Sequence, residues 1–199
     1  MNKIRSHMEE IKEIINMGRR LDELTCEVYI QFAKRDDFDP ALTALWSDMA
    51  EWKKDHLKLW KKLAESFVYQ NIFKKTNEDL KTIIRQMRNM QSELIEFLRR
   101  LRKKTITQNE AVSQTILNEY CVISDIFLEI FYTHGKTPED KASGFVRACG
   151  VHLERMAVTL KPYMRLNPLY AVLLKSIVEF KYKYDFLETT YGKKRKAAG

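Results

Sequence analysis

The chain has 199 residues, of which 45% are hydrophobic and 31% charged, and this composition suits one globular domain with a substantial core. Its formal net charge of +8 permits contact with acidic partners but does not by itself indicate one. Only 6 Gly and 4 Pro are present, which excludes a Gly-rich phosphate loop and favours long helices over many turns. We therefore expect an all-α protein with a single domain over residues 1–192 and a basic, disordered tail over residues 193–199.

The spacing of the cysteines and the lengths of the apolar runs indicate the cellular compartment of the protein. The three cysteines, Cys26, Cys121 and Cys149, have no paired spacing, which is typical of reduced thiols in an intracellular protein. The first twenty residues are charged and amphipathic throughout, unlike a secretory signal. No apolar run approaches the roughly 18 residues of a transmembrane segment. The sequence thus predicts a soluble, cytoplasmic protein.

Apolar residues recur at steps of three and four along almost the whole chain, and this spacing predicts helices. Asp39 is the expected N-cap of the second helix, with Pro40 at its first position. Thr107 and Glu110 form a capping-box pattern before a later helix, and Gly135 is the expected stop of that helix. The predicted helices cover residues 4–35, 40–67, 78–103, 108–134, 139–160 and 169–191.

The second predicted helix carries two polar residues on its apolar face. Lys53 and His56 lie in the middle of an inward stripe whose other members are apolar or aromatic. A lysine is rarely buried unless it has a partner, so this helix must face a group that pairs with Lys53. The full stripe consists of Leu42, Trp46, Met49, Lys53, His56, Trp60 and Leu63.

Two parts of the chain repeat a similar pattern. Asp22 and Tyr29 are seven residues apart in the first part, and Asp125 and Tyr132 have the same spacing in the second. When the following helices are aligned, Lys53 corresponds to His152 and His56 corresponds to Arg155. Because a seven-residue step keeps both members on one helical face, the repeat predicts that these side chains point into a shared core.

On these residues the chain resembles the ferritin-like superfamily, and within it the rubrerythrin-like proteins. The resemblance covers residues 10–64 and 108–160, and the segment MAEWKKDHLKLW is similar to the second-helix motif of that family. It implies a ferritin-like four-helix bundle, with residues 78–103 as a long crossover helix and an extra helix at the C-terminal end. In the family, each half supplies one Glu and one Glu-x-x-His, which together hold two iron ions.

The chain departs from that metal-binding pattern in all four of its elements, and of the six ligand positions only His56 keeps the residue of the family. Asp22 and Asp125 stand where the family has Glu, and the two Glu-x-x-His motifs become Lys53-x-x-His56 and His152-x-x-Arg155. A protonated lysine has no lone pair for a metal, and an arginine stays charged at any ordinary pH. We therefore expect a degenerate diiron site in which Lys53 and Arg155 point inward and pair with Asp22 or Asp125.

This interpretation predicts a non-enzymatic protein without a cofactor, which binds another protein or itself. The competing interpretation is a ferritin-like oxidoreductase that holds iron or another metal through Asp22, His56, Asp125 and His152, because Asp and His are good ligands for such ions. A third hypothesis is nucleic-acid binding through the basic clusters at residues 99–104 and 193–196. These clusters lack interleaved aromatic residues, so a solvated surface is favoured for them.

Overall fold

The computed structural model describes residues 2–65, 80–122, 151–166, 171–172, 174–176, 179 and 182. Over these ranges the chain is helical apart from short turns and contains no strand, which confirms the all-α prediction. Contacts divide the chain into two compact units, Met1–Thr107 and Gln108–Gly199. The prediction of one domain over residues 1–192 is left open by this division, and the predicted tail at residues 193–199 lies outside the described residues.

The first unit contains three long helices, as the periodicity predicts. They are α1 (Asn2–Ala33), α2 (Pro40–Glu65) and α3 (Leu80–Arg102). Asp39 caps α2 as expected, because its Oδ1 accepts a hydrogen bond of 2.8 Å from the backbone N–H of Ala41.

Helix α1 is the central helix of this unit and packs against both α2 and α3. It runs antiparallel to α2, since Gly18 lies against Trp60 near the end of α2 while Phe32 contacts Trp46 near its beginning. It runs parallel to α3, since Glu13 pairs with Arg88 and Glu27 pairs with Arg102. The chain thus passes up, down and up through the unit.

Arg35 fixes the loop between α1 and α2. Its guanidinium donates two hydrogen bonds of 2.6 Å to the carboxylate of Asp37 and one of 3.2 Å to the carbonyl of Ile106, just beyond α3. It also lies 4.2 Å from the ring centroid of Phe38. One arginine therefore orders the α1–α2 loop through its bidentate and cation–π contacts, and it joins that loop to the end of α3 through the carbonyl of Ile106.

Helix α3 ends in a Schellman motif. The N–H of Thr105 bonds to the carbonyl of Arg100, and the N–H of Lys104 bonds to the carbonyl of Leu101. Lys104 occupies the left-handed position of this motif with φ of 55°, a place usually taken by glycine. The turn ends the helix at the predicted place and directs Ile106 into the core.

The second unit begins with α4 (Gln108–Val122), directly after the predicted cap Thr107. Residues 151–160 are helical and lead into a 3₁₀ helix at Lys161–Leu166, which contacts α4. This agrees with the predicted end of a helix at residue 160. The predicted continuation of α4 to residue 134, with its stop at Gly135, lies outside the described residues.

The four-helix bundle with a crossover remains a prediction. It would combine helices of both units, and each unit is described by itself. No helix within the described ranges combines the length and the apolarity needed to cross a membrane.

Candidate functional site

A buried carboxylate lies at the interface between α1 and α2. Asp22 has no solvent exposure, and three residues on successive turns of α2 converge on it: Lys53, His56 and Trp60. Their spacing of three and then four residues places all three on one face of α2. We call these four residues the Asp22 cluster.

The two carboxylate oxygens of Asp22 have different partners. Lys53 Nζ lies 3.0 Å from Oδ1, while Trp60 Nε1 donates a 2.7 Å hydrogen bond to Oδ2 and His56 Nδ1 lies 3.4 Å from the same atom. The lysine contact meets the distance of an ion pair without the directionality of a hydrogen bond. The pairing of Asp22 with Lys53 is therefore chiefly electrostatic, and Trp60 supplies the well-directed bond.

These contacts determine the ionisation of Asp22. Burial by itself raises the pKa of a carboxyl group, because desolvation disfavours its charged form. The ammonium of Lys53 opposes this, and the imidazole of His56 and the indole N–H of Trp60 act in the same direction as Lys53. Together they hold the pKa of Asp22 well below its usual range, so the carboxylate is ionised at neutral pH.

Aromatic rings and one glycine enclose the cluster. The ring centroids of Trp52 and His56 are 3.8 Å apart, and Lys53 Nζ lies 5.1 Å from the Trp52 ring centroid. A Cβ atom at Gly18 would overlap the six-membered ring of Trp60, so glycine is what allows the indole to reach Asp22. The cluster is thus excluded from water and fixed in position by packing.

The remaining predicted site residues belong to the second unit. His152 is buried, with 9% of its surface exposed, as the repeat predicts. Arg155 is exposed, so the expectation that it points inward as a buried cation is wrong. The physical reason is its place on the helix of residues 151–160, whose buried face is set by Leu153, Met156 and Leu160. Asp125 lies outside the described residues, as do Tyr132 and Cys149.

The sequence places Lys53, His56 and Trp60 on one inward stripe, but it did not lead us to expect the hydrogen bond from Trp60 to Asp22. The signal was present, because Trp60 lies one turn beyond His56 on the same stripe and a buried indole N–H needs an acceptor. Gly18, one turn before Asp22, was also missed. In α4, Thr115 and Glu119 are both fully buried, and they lie three and seven residues after the buried Val112, so helical spacing could have located them.

The first-unit residues do not fit the iron pair that the resemblance implies. A metal bound by Asp22 and His56 would lie close to the Lys53 ammonium, which offers no lone pair and repels a dication. Among the described residues, no three His, Cys, Asp or Glu side chains are grouped so that they could hold a metal ion. The Asp22 cluster is therefore suited to holding α1 against α2 without a metal.

The basic cluster at residues 99–104 is partly neutralised by its own surroundings. Arg99 pairs with Glu96, and Arg102 pairs with Glu27 of α1. This pairing favours a solvated surface over a polyanion-binding site. Comparisons of the chain with protein-family models, with curated proteins and with solved structures find no match.

Proposed function

We propose that this protein is a ferritin-like, rubrerythrin-like bundle whose diiron site has degenerated, and that it acts as a non-enzymatic binding protein. The observation that carries the proposal is the fully buried Lys53 ammonium, 3.0 Å from the carboxylate of Asp22. In the family that the chain resembles, the position of Lys53 holds a bridging Glu. Here one side chain supplies a positive charge where the metal ions of a diiron site supply theirs.

Charge balance supports this proposal. An ionised carboxylate in a dry interface needs a compensating charge, because burying it alone is very costly. In a diiron site the compensating charge comes from the metal, whereas here the Lys53 ammonium provides it and the Trp60 N–H adds a hydrogen bond. The first half of the proposed site is therefore complete without iron.

The path of the chain through the first unit also supports the proposal. A ferritin-like bundle has one long crossover connection, which carries the chain back along the bundle before its second helix pair. Helix α3 runs parallel to α1 and ends beside Phe32, near the place where α2 begins. An element with that direction is what a crossover requires.

One observation favours the competing function, a metal-binding ferritin-like oxidoreductase. Asp22 and His56 are ligand types suited to iron, and they lie 3.4 Å apart in a buried position. In that case Asp125 and His152 would complete the set, and Lys53 would have to leave the carboxylate of Asp22 when the metal binds.

Iron counting separates the two functions. Purified protein is loaded with Fe(II) without oxygen, desalted and assayed for iron per chain. We expect no stoichiometric iron in the unmodified protein, because the Lys53 ammonium opposes binding. One or two iron ions per chain would overturn the proposal and favour the metal-binding alternative.

A further inference from the structure

The helix of residues 151–160 has two unlike faces. His152, Leu153, Met156 and Leu160 are buried, and they lie together on one side. On the opposite side Val151 and Val158 have 61% and 69% of their surface exposed, which is high for valine. Glu154 and Arg155 lie between the two valines and are also exposed. We call Val151, Glu154, Arg155 and Val158 the outer stripe.

The outer stripe forms a continuous surface. At roughly 100° and 1.5 Å per residue, its four members span about 100° of the circumference and about 10 Å of helix length. A pair of exposed valines on one stripe is a small apolar patch with two charges at its centre. Neither valine packs into the core of its own unit, because it is the opposite face of the helix that is buried.

The order of residues along this stripe is self-complementary. The sequence Val-x-x-Glu-Arg-x-x-Val is symmetrical in position about the midpoint between Glu154 and Arg155. If two such helices lie antiparallel across a two-fold axis at this midpoint, Val151 faces Val158 of the other copy and Glu154 faces Arg155. Closed two-fold interfaces require this reciprocity, in which residue i contacts residue j and residue j contacts residue i.

We propose that the outer stripe is a self-association surface, which pairs two copies of this chain through antiparallel helices. The proposal rests on the proposed function, a binding protein, and names its partner as a second copy. Charge complementarity favours a second copy over another protein, because the acid and the base of the stripe face a base and an acid when a second copy lies antiparallel to it. The two valine pairs supply apolar burial, and the two Glu–Arg pairs fix orientation and register.

Sedimentation velocity of the full chain over a range of concentrations tests the proposal. We expect a dimer that dissociates on dilution, and we expect Val158→Arg to weaken it on the order of tenfold or more, since the change places a cation against Val151 at both ends of the interface. Val172→Arg is the matched control, because Val172 is similarly exposed (61%) but lies outside this helix. Far-UV circular dichroism verifies that both variants fold.

Charge reversal gives a second, independent measurement. Glu154→Arg alone and Arg155→Glu alone each place like charges opposite one another in a homodimer, so each variant should dimerise on the order of tenfold more weakly than the parent. In an equimolar mixture the two variants restore both opposite-charge pairs. We therefore expect the mixture to form a heterodimer near the parental affinity.

A protein that is monomeric at every concentration overturns the inference. A dimer that Val158→Arg leaves unchanged, or that Val172→Arg disrupts equally, overturns it as well. These outcomes are distinct from failure of the proposed function, which iron counting decides. An iron-loaded dimer would overturn the degenerate-site proposal and support this interface. An iron-free monomer would overturn the interface and leave the degenerate-site proposal standing.

Discussion

Two kinds of charge pair join α1 to its neighbours in the first unit. Asp22 pairs with Lys53 of α2 where both side chains have no exposure, whereas Glu27 pairs with Arg102 of α3 where the side chains are 39% and 63% exposed. Coulomb attraction in water is weak and screened by salt, but in a dry interface neither charge can be left without the other. Pairs of a carboxylate and a cation therefore align helices at the surface and hold them together in the core.

The largest effect is expected at the buried pair. Asp22→Ala should lower the free energy of unfolding by about 3 kcal/mol, because the change leaves the Lys53 charge buried without its carboxylate. Asp55→Ala is the matched control, since Asp55 is an exposed residue of α2 in an ion pair with Lys58. Denaturant titration with urea measures both variants. A midpoint for Asp22→Ala that equals that of the control would show the pair to be energetically unimportant.

Acid should remove part of the same stabilisation. The folded pKa of Asp22 lies well below the ordinary value of about 4, so the carboxylate stabilises the folded protein fully above that pH. This contribution is lost as the pH falls from about 4 towards the folded pKa. We expect the difference in unfolding free energy between the parent and Asp22→Asn to shrink over this range. A constant difference down to the lowest accessible pH would contradict the assignment.

A smaller effect is expected at the glycine that admits Trp60. Gly18→Ala should destabilise the protein by about 1 kcal/mol in thermal or urea unfolding, because overlap with the indole outweighs the gain in helix propensity. Asn16→Ala, at an exposed position of α1, is the control and should be neutral or stabilising. If Gly18→Ala were also stabilising, Trp60 would not be held against Gly18.

The smallest effect is expected at the exposed pair. Glu27→Ala should lower the free energy of unfolding by about 0.5 kcal/mol at low salt, and the loss should vanish near 1 M NaCl, where charges are screened within about 3 Å. Arg102→Ala should match it, and the double variant should lose no more than either single variant. A loss as large as that of Asp22→Ala would remove the contrast between surface and core.

Much of the first unit follows from its sequence. The spacing of apolar residues places α1, α2 and α3 within a few residues of their bounds, and the stripe on α2 correctly directs Lys53 and His56 inward. The bonding partner of Asp22 is harder to predict, because Trp60 reaches it only across a gap left by Gly18 on another helix. Periodicity describes one helix at a time and gives no distances between helices.

The error at Arg155 has a similar origin. The repeat aligned His152 and Arg155 with Lys53 and His56, and a three-residue step is compatible with one helical face. The buried face of that helix instead continues from His152 to Met156, a step of four residues, and leaves Arg155 outside. A shift of one residue in the alignment moves a side chain from the core to the solvent. The weak sequence identity between the two parts of the repeat does not fix that alignment.

We propose that the Lys53 ammonium takes the place of a metal charge beside Asp22. Lys53→Glu tests it most directly, because the change would place Asp22, Glu and His56 together and remove the opposing charge. Fe(II) bound per chain and the metal-dependent rise in melting temperature are measured without oxygen, with Lys54→Glu as the exposed control. We predict iron binding and stabilisation by iron in Lys53→Glu, and neither in the parent nor in the control. Equal iron binding in all three proteins, or none in a folded Lys53→Glu, would contradict the account.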